Sequence, residues 1–262
     1  IKNFDNSDIF EIFKSNKRII LYLIKEKLLI LDKSCTKKIS NLNSSYREYF
    51  APEMKGSTQL ADDFEENREI GENNSYICKL IRNDSIENFI IYVNEKNITP
   101  NSYIKKSIFE SNSLLQNPTS LIEYAAFYGS IRIFRYLLQQ GVPLKKSLIY
   151  AIHSNNPEII SICENEKNDQ SLIYEAFYES IKCFHHSIAD YIITNYNFKL
   201  DDLRGDYNEY DANIIEYNNY KYIDNNMIHH DYNFAYFCLY NYCSIVKILV
   251  QMDDINLNTS II

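Results

Sequence analysis

Cys183, His185 and His186 place a thiol and two imidazoles within four positions of one another. Such a group could ligate a metal ion, or pair a nucleophilic thiol with a base. Neither pattern is complete. Adjacent side chains on a helix or turn diverge, so His185 and His186 do not converge on one ion. No neighbouring residue offers an obvious oxyanion donor for a Cys183 nucleophile. His229 and His230 form a second adjacent pair in another polar stretch. Both pairs are expected to be loop histidines between helices. The acidic stretch "LDDLRGDYNEYD" resembles a calcium loop only until it is placed in register. With Gly205 at the loop glycine, Leu200 and Arg204 stand where oxygen ligands belong. The glycines, at 56, 71, 129, 141 and 205, form neither GxGxxG nor a phosphate-cradling loop. Cys35, Cys78, Cys163, Cys183, Cys238 and Cys243 contain no CxxC spacing and sit among apolar residues. They read as reduced thiols that pack as small hydrophobes. No catalytic residue, metal ligand or cofactor site is therefore expected.

The elements that must position any site are helical. The chain has 262 residues, 45% of them hydrophobic, with 5 glycines and 5 prolines. That is too few turn formers for a fold of many tight hairpins. The net charge of −8 disfavours a nucleic-acid partner, because such binding draws on phosphate neutralisation. The best apolar run, "RIILYLIKEKLLIL", is broken by Lys25, Glu26 and Lys27, so no membrane span is expected. Tyrosine reaches 23 residues and tryptophan is absent, which fits both coding bias and a tyrosine-rich recognition surface.

Residues 1–34 read as a helical hairpin turning at Asn16, with Ile19, Ile20, Leu23 and Ile24 on one face. Residues 35–74 are polar and irregular and read as a linker or long loop with one short helix. From Ser75 onward, two-helix patterns recur. In "SLIEYAAFYGSIRIFRYLLQQG", Ala125 and Ala126 allow close helix approach, and Gly129 supplies a left-handed turn. Leu137 and Leu138 fill the second face, and Gly141 ends it. The next copy places Ala151 and Asn155 at the corresponding positions, 26 residues on. In "SLIYEAFYESIKCFHHSIADYII" two registers are open, and the preferred one puts Ser180 at the small position. Weaker copies follow at about 212–228 and from Phe234. Recurrence at such intervals predicts a solenoid of helix pairs, each unable to bury its apolar face alone.

The stretch 120–142 resembles the ankyrin repeat: Ala125, Ala126, Gly129, Leu137, Leu138 and Gly141 stand at the consensus positions. Ser120, Leu121, Ile122 and Glu123 replace the consensus T-P-L-H, and an ionised Glu123 cannot donate as that histidine does. Nearly the whole chain is similar to the divergent trichomonad-type ankyrin-repeat proteins, in which a helical N-terminal region precedes the repeats. The stretches carrying this are "NKRIILYLI", "YFAPEMK", "GENNSYICKLIRNDSI", "SLIEYAAFYGSI" and "ESIKCFHHSIADYI".

The resemblance implies an all-α ankyrin solenoid over 75–262; the tail "DDIN" reads as the start of another unit, so the array is expected to be truncated at its C-terminus, and the cysteine usage points to a reducing, intracellular, cytoplasmic setting. The resemblance also implies a non-enzymatic scaffold that binds a protein partner through its concave face, without cofactor or metal. Tyr124, Phe127, Tyr128, Tyr150 and His153 are the contact residues implied. The rival readings are an interaction module of a larger enzyme, or an enzyme using Cys183 and His185.

Overall fold

In the computed structural model, the described residues are 5–14, 16–42, 44–54, 61–165, 170–196, 209–223, 227, 231–240 and 242–251. They are helical, with no strand among them and a single isolated bridge between Tyr103 and Ser120. No described helix is long and apolar enough to cross a membrane. The chain forms two compact units, Ile1–Pro143 and Leu144–Ile262. The boundary thus falls inside the expected repeat region, not at residue 34 or 74.

The first unit opens with α1 (Asn6–Phe13) and α2 (Lys17–Lys25), the expected hairpin. Asn16 caps α2 by accepting from the backbone amides of Arg18 and Ile19. The described part of residues 35–74, expected as a linker or long loop with one short helix, holds several helices. It supplies most of α3 (Lys33–Asn41), then α4 (Ser44–Tyr49), α5 (Ala51–Met54) and α6 (Phe64–Ile70). Cys35, Ile39, Tyr46, Tyr49, Phe50 and Phe64 join Ile9, Phe10, Ile20, Leu21 and Leu23 in one core. The stretch looks polar because its helices are short and part of its interior is charged. Arg68 is fully buried, donating to the Tyr49 carbonyl at 2.9 Å and forking onto both Glu53 oxygens at 2.9 and 2.6 Å.

Two helix pairs complete the first unit: α7 (Tyr76–Arg82) with α8 (Ile86–Glu95), and α9 (Leu121–Tyr128) with α10 (Ile131–Gln139). The segment between the two pairs, residues 96–120, has no α-helix. The second unit holds α11 (Ser147–Ser154), α12 (Pro157–Glu164), α13 (Gln170–Lys182), α14 (His186–Asn195) and α15 (Glu209–Glu216). A short 3-10 turn, Tyr220–Tyr222, follows α15, and α16 (Asp231–Leu239) and α17 (Cys243–Leu249) form the last described pair.

The link between helices repeats. Asp84, Gly129, Asn155, Phe184 and Asn218 all adopt positive φ. Four residues before each stands a buried position: Leu80, Ala125, Ala151, Ser180 and Ile214. The amides of Ser85, Ser130, His185, Asn219 and Tyr242 close the same 6→1 turn onto Leu80, Ala125, Ser180, Ile214 and Phe237. Ser180 therefore takes the place of Ala125, as the preferred register predicts.

The turns also lock onto one another. Ser130 Oγ donates to the Ile81 carbonyl at 2.5 Å. Asn219 Nδ2 donates to the Ile181 carbonyl at 3.1 Å, and the Tyr242 hydroxyl to the Ile215 carbonyl at 3.0 Å. In turn-based register these are one donor position and one acceptor position. Each acceptor carbonyl already takes an amide of its own turn, from Asp84, Phe184 or Asn218. A carbonyl has two lone pairs, and the following helix pair uses the second. In the first unit Asp84 completes the exchange. Its carboxylate accepts the Arg132 and Ile133 amides at 3.0 Å each, capping α10 while Ser130 is engaged elsewhere.

Candidate functional site

The five residues expected on an exposed face divide by direction. Tyr124 is 1% exposed and Tyr150 6%, so both are core residues and neither is free to meet a partner. The reason lies in the pairing of first helices. Arg82 at the end of α7 reaches the Tyr124 hydroxyl on α9 and donates to it at 2.8 Å. The same guanidinium donates to the Asn73 carbonyl, pairs with Glu72 at 2.9 Å, and lies 5.8 Å from the Tyr128 ring centre. Burial raises the pKa of Tyr124 and of Tyr128, keeping both phenols neutral. Phe127 and Tyr128 are half-buried, their rings in edge contact at 5.0 Å. These two retain a face toward solvent.

Glu123, the departure from the ankyrin consensus, is buried and has a local task. Its Oε2 accepts from the Ser120 amide at 2.8 Å and from Ser120 Oγ at 2.7 Å, while Ser120 Oγ accepts from the Glu123 amide. This is a reciprocal cap on α9. The S-x-x-E spacing of Ser120 and Glu123 carried that signal in the sequence.

His153, expected as a contact residue, lies near the end of α11 and faces α13. Its Nε2 is 2.7 Å from Glu179 Oε1. Cys183, one residue past α13, brings its sulfur to 3.5 Å from His153 Nδ1 and 3.8 Å from Nε2. The histidine that meets Cys183 is therefore His153, not His185. His185 instead precedes α14, and His186 Nε2 contacts Asn219 Oδ1 at 3.0 Å. His229 and His230 lie outside the described residues, as does the Gly205 loop. Spacing alone could not reveal the His153 group, whose members are 26 and 30 residues apart.

Electrostatics at this group favour a resting, unreactive thiol. Burial, reinforced by the Glu179 charge, pushes the Cys183 thiol up to about 12. Burial also works to raise Glu179, but the hydrogen bond and charge of His153, with Lys182, outweigh it and hold the carboxyl below its usual value. Lys182 Nζ stands 3.6 Å from Glu179 Oε2 and 5.5 Å from the Tyr217 ring centre. The arrangement suits an ion ligand set or an interhelical clasp better than a nucleophile.

The first unit contains a cavity of about 350 Å³ lined by residues that include Ser45, Ser107, Ile108 and Glu110. Lys17 is buried beside it, donating to the Ile108 carbonyl at 2.8 Å and to Ser45 Oγ at 3.4 Å. Burial holds its ammonium down to about 8. Comparison of the chain with protein-family models, curated proteins and solved structures finds no match to any of them.

Proposed function

We propose that the chain is a non-catalytic helical-repeat scaffold of the ankyrin type, which binds another protein through the face formed by its first helices and turns. The observation that carries this reading is the repeated interlock. A side chain from one turn fills the second lone pair of a carbonyl in the preceding turn, at Ser130, Asn219 and Tyr242. An architecture assembled this way grows by repetition and displays equivalent positions at regular intervals, which suits an extended protein ligand. The reducing, intracellular compartment belongs to the same reading and rests on the sequence, where the six cysteines have no CxxC spacing and sit among apolar residues.

Phe127 and Tyr128 are the aromatic anchors proposed for the first unit, since Tyr124 and Tyr150 are committed to the core. The test is capture of binding proteins by the immobilised full chain, compared with a Phe127→Ser, Tyr128→Ser double variant whose helical circular dichroism is intact. Loss of a specifically captured protein supports the reading. Identical capture by both proteins, or no specific capture by either, overturns it. Tyr124→Ser serves as the contrast: it removes a buried ring and its bond to Arg82, at about 3–5 kcal/mol of stability, so its signature is a lowered melting temperature.

A further inference from the structure

One ligand atom each from His153, Glu179 and Cys183 lies within 4.8 Å of the others. We propose that these three residues, on α11 and at the end of α13, form a site for one zinc-class divalent ion, a property distinct from partner binding. Glu179 and Cys183 are four residues apart, so they project from the same side of α13. His153 is delivered by the neighbouring helix pair. Thiolate, imidazole and carboxylate together are zinc donors; the sulfur argues against magnesium or calcium.

The distances need little adjustment. Zinc bonds of about 2.3 Å to sulfur and about 2.0 Å to nitrogen or oxygen put tetrahedral N···S pairs at about 3.6 Å and N···O pairs at about 3.3 Å. His153 Nε2 and Cys183 Sγ are already 3.8 Å apart. His153 Nε2 and Glu179 Oε1, at 2.7 Å, separate slightly as the ion replaces their hydrogen bond. Charge balances as well. The Cys183 thiol releases its proton to solvent, and the resulting thiolate with the Glu179 carboxylate neutralises the dication. Lys182 is the nearby cation that must withdraw, and its side chain is 35% exposed. The site is half-buried and three-coordinate from protein, leaving a fourth position for water.

The competing account is that His153 and Glu179 are simply the second unit's version of the Arg82–Tyr124 contact. In turn-based register the pairs correspond: Arg82 and His153 lie two residues before Asp84 and Asn155, and Tyr124 and Glu179 five residues before Gly129 and Phe184. The third member separates the two accounts. Tyr128 occupies in the first unit the place that Cys183 occupies in the second, and a phenol is not among the usual zinc donors, whereas a cysteine sulfur is.

The experiment titrates the full chain, stripped with chelator and kept reduced, with cobalt(II) alone and then with zinc(II). The expected result is a sulfur-to-cobalt charge-transfer band that saturates at one equivalent and is displaced by zinc. Cys183→Ser abolishes the band while leaving the helical circular dichroism unchanged. Glu179→Gln, nearly isosteric, weakens cobalt affinity by about tenfold or more. Absence of the band in the native chain overturns the proposal. So does a band that survives in Cys183→Ser, which would trace to the exposed Cys238 or Cys243.

Discussion

Replacing Ser130 with alanine tests the interlock directly. The hydroxyl is buried and donates to the Ile81 carbonyl across two helix pairs. Losing a neutral hydrogen bond costs about 0.5–1.5 kcal/mol, and stranding a buried acceptor entirely costs about 1–3 kcal/mol. The Ile81 oxygen is not stranded, because the Asp84 amide still donates to it at 2.8 Å. The expected loss is therefore near the lower range, about 1 kcal/mol, with no cavity contribution of note from one missing oxygen. Tyr242→Phe should behave alike, since the Ile215 carbonyl keeps the Asn218 amide and the ring keeps its packing. Ser40→Ala is the control. That hydroxyl is exposed and bonds only one turn back within its own helix, to the Thr36 carbonyl at 2.8 Å. Urea unfolding followed by circular dichroism gives the midpoints, and hydrogen exchange of the Asp84 and Ser85 amides localises the effect. The reasoning fails if Ser130→Ala and Ser40→Ala lose the same stability within about 0.3 kcal/mol, a difference on the scale of ordinary surface substitutions. It also fails if exchange at Asp84 and Ser85 is unaltered.

Phe184 and Gly129 hold the same turn position at φ 57° and 69°, and swapping their chemistry should move stability in opposite directions. Gly129→Ala is expected to cost about 1 kcal/mol from left-handed strain, while Phe184→Gly, at a largely exposed site, is expected to gain up to about 1 kcal/mol; thermal melts of the two variants check both signs. Lys17→Met removes a buried ammonium held down to about 8 from 10.5. Between those values the unfolded chain binds more protons than the folded one, so native stability rises with pH across the window. The variant lacks that rise. Its stability relative to the native chain should therefore fall by on the order of 3 kcal/mol as pH rises from below 8 to above 10.5 in urea titrations, and a pH-independent difference would refute the burial argument.

Much of the helix plan was legible because helices and their turns are local. Apolar residues at helical spacing located α7 to α10, and the Gly129 turn followed from a residue that tolerates positive φ. The equivalence of Ser180 with Ala125 could be read from the order of helices, although the glycine was gone. The helices of residues 35–74 are hidden in the sequence for a physical reason. They are short, and Arg68 and Glu53 satisfy each other inside, so no apolar stripe advertises a core. The capping pair of Ser120 and Glu123 is present in the sequence as an S-x-x-E spacing.

The direction of each aromatic was not local information. Tyr124 and Tyr128 lie one helical turn apart with the same side chain, yet Tyr124 is buried, its hydroxyl met by Arg82 from another helix pair, while Tyr128 is only partly buried. The same holds for the chemistry. Sequence brought Cys183 close to His185, its neighbour along the chain. Packing of α11 against α13 gave it His153 instead, 30 residues away. Local periodicity determined where the helices and turns fall; the identity of the groups that meet was decided only by tertiary packing, since a contact between helices depends on how two faces are turned and not on their distance in sequence.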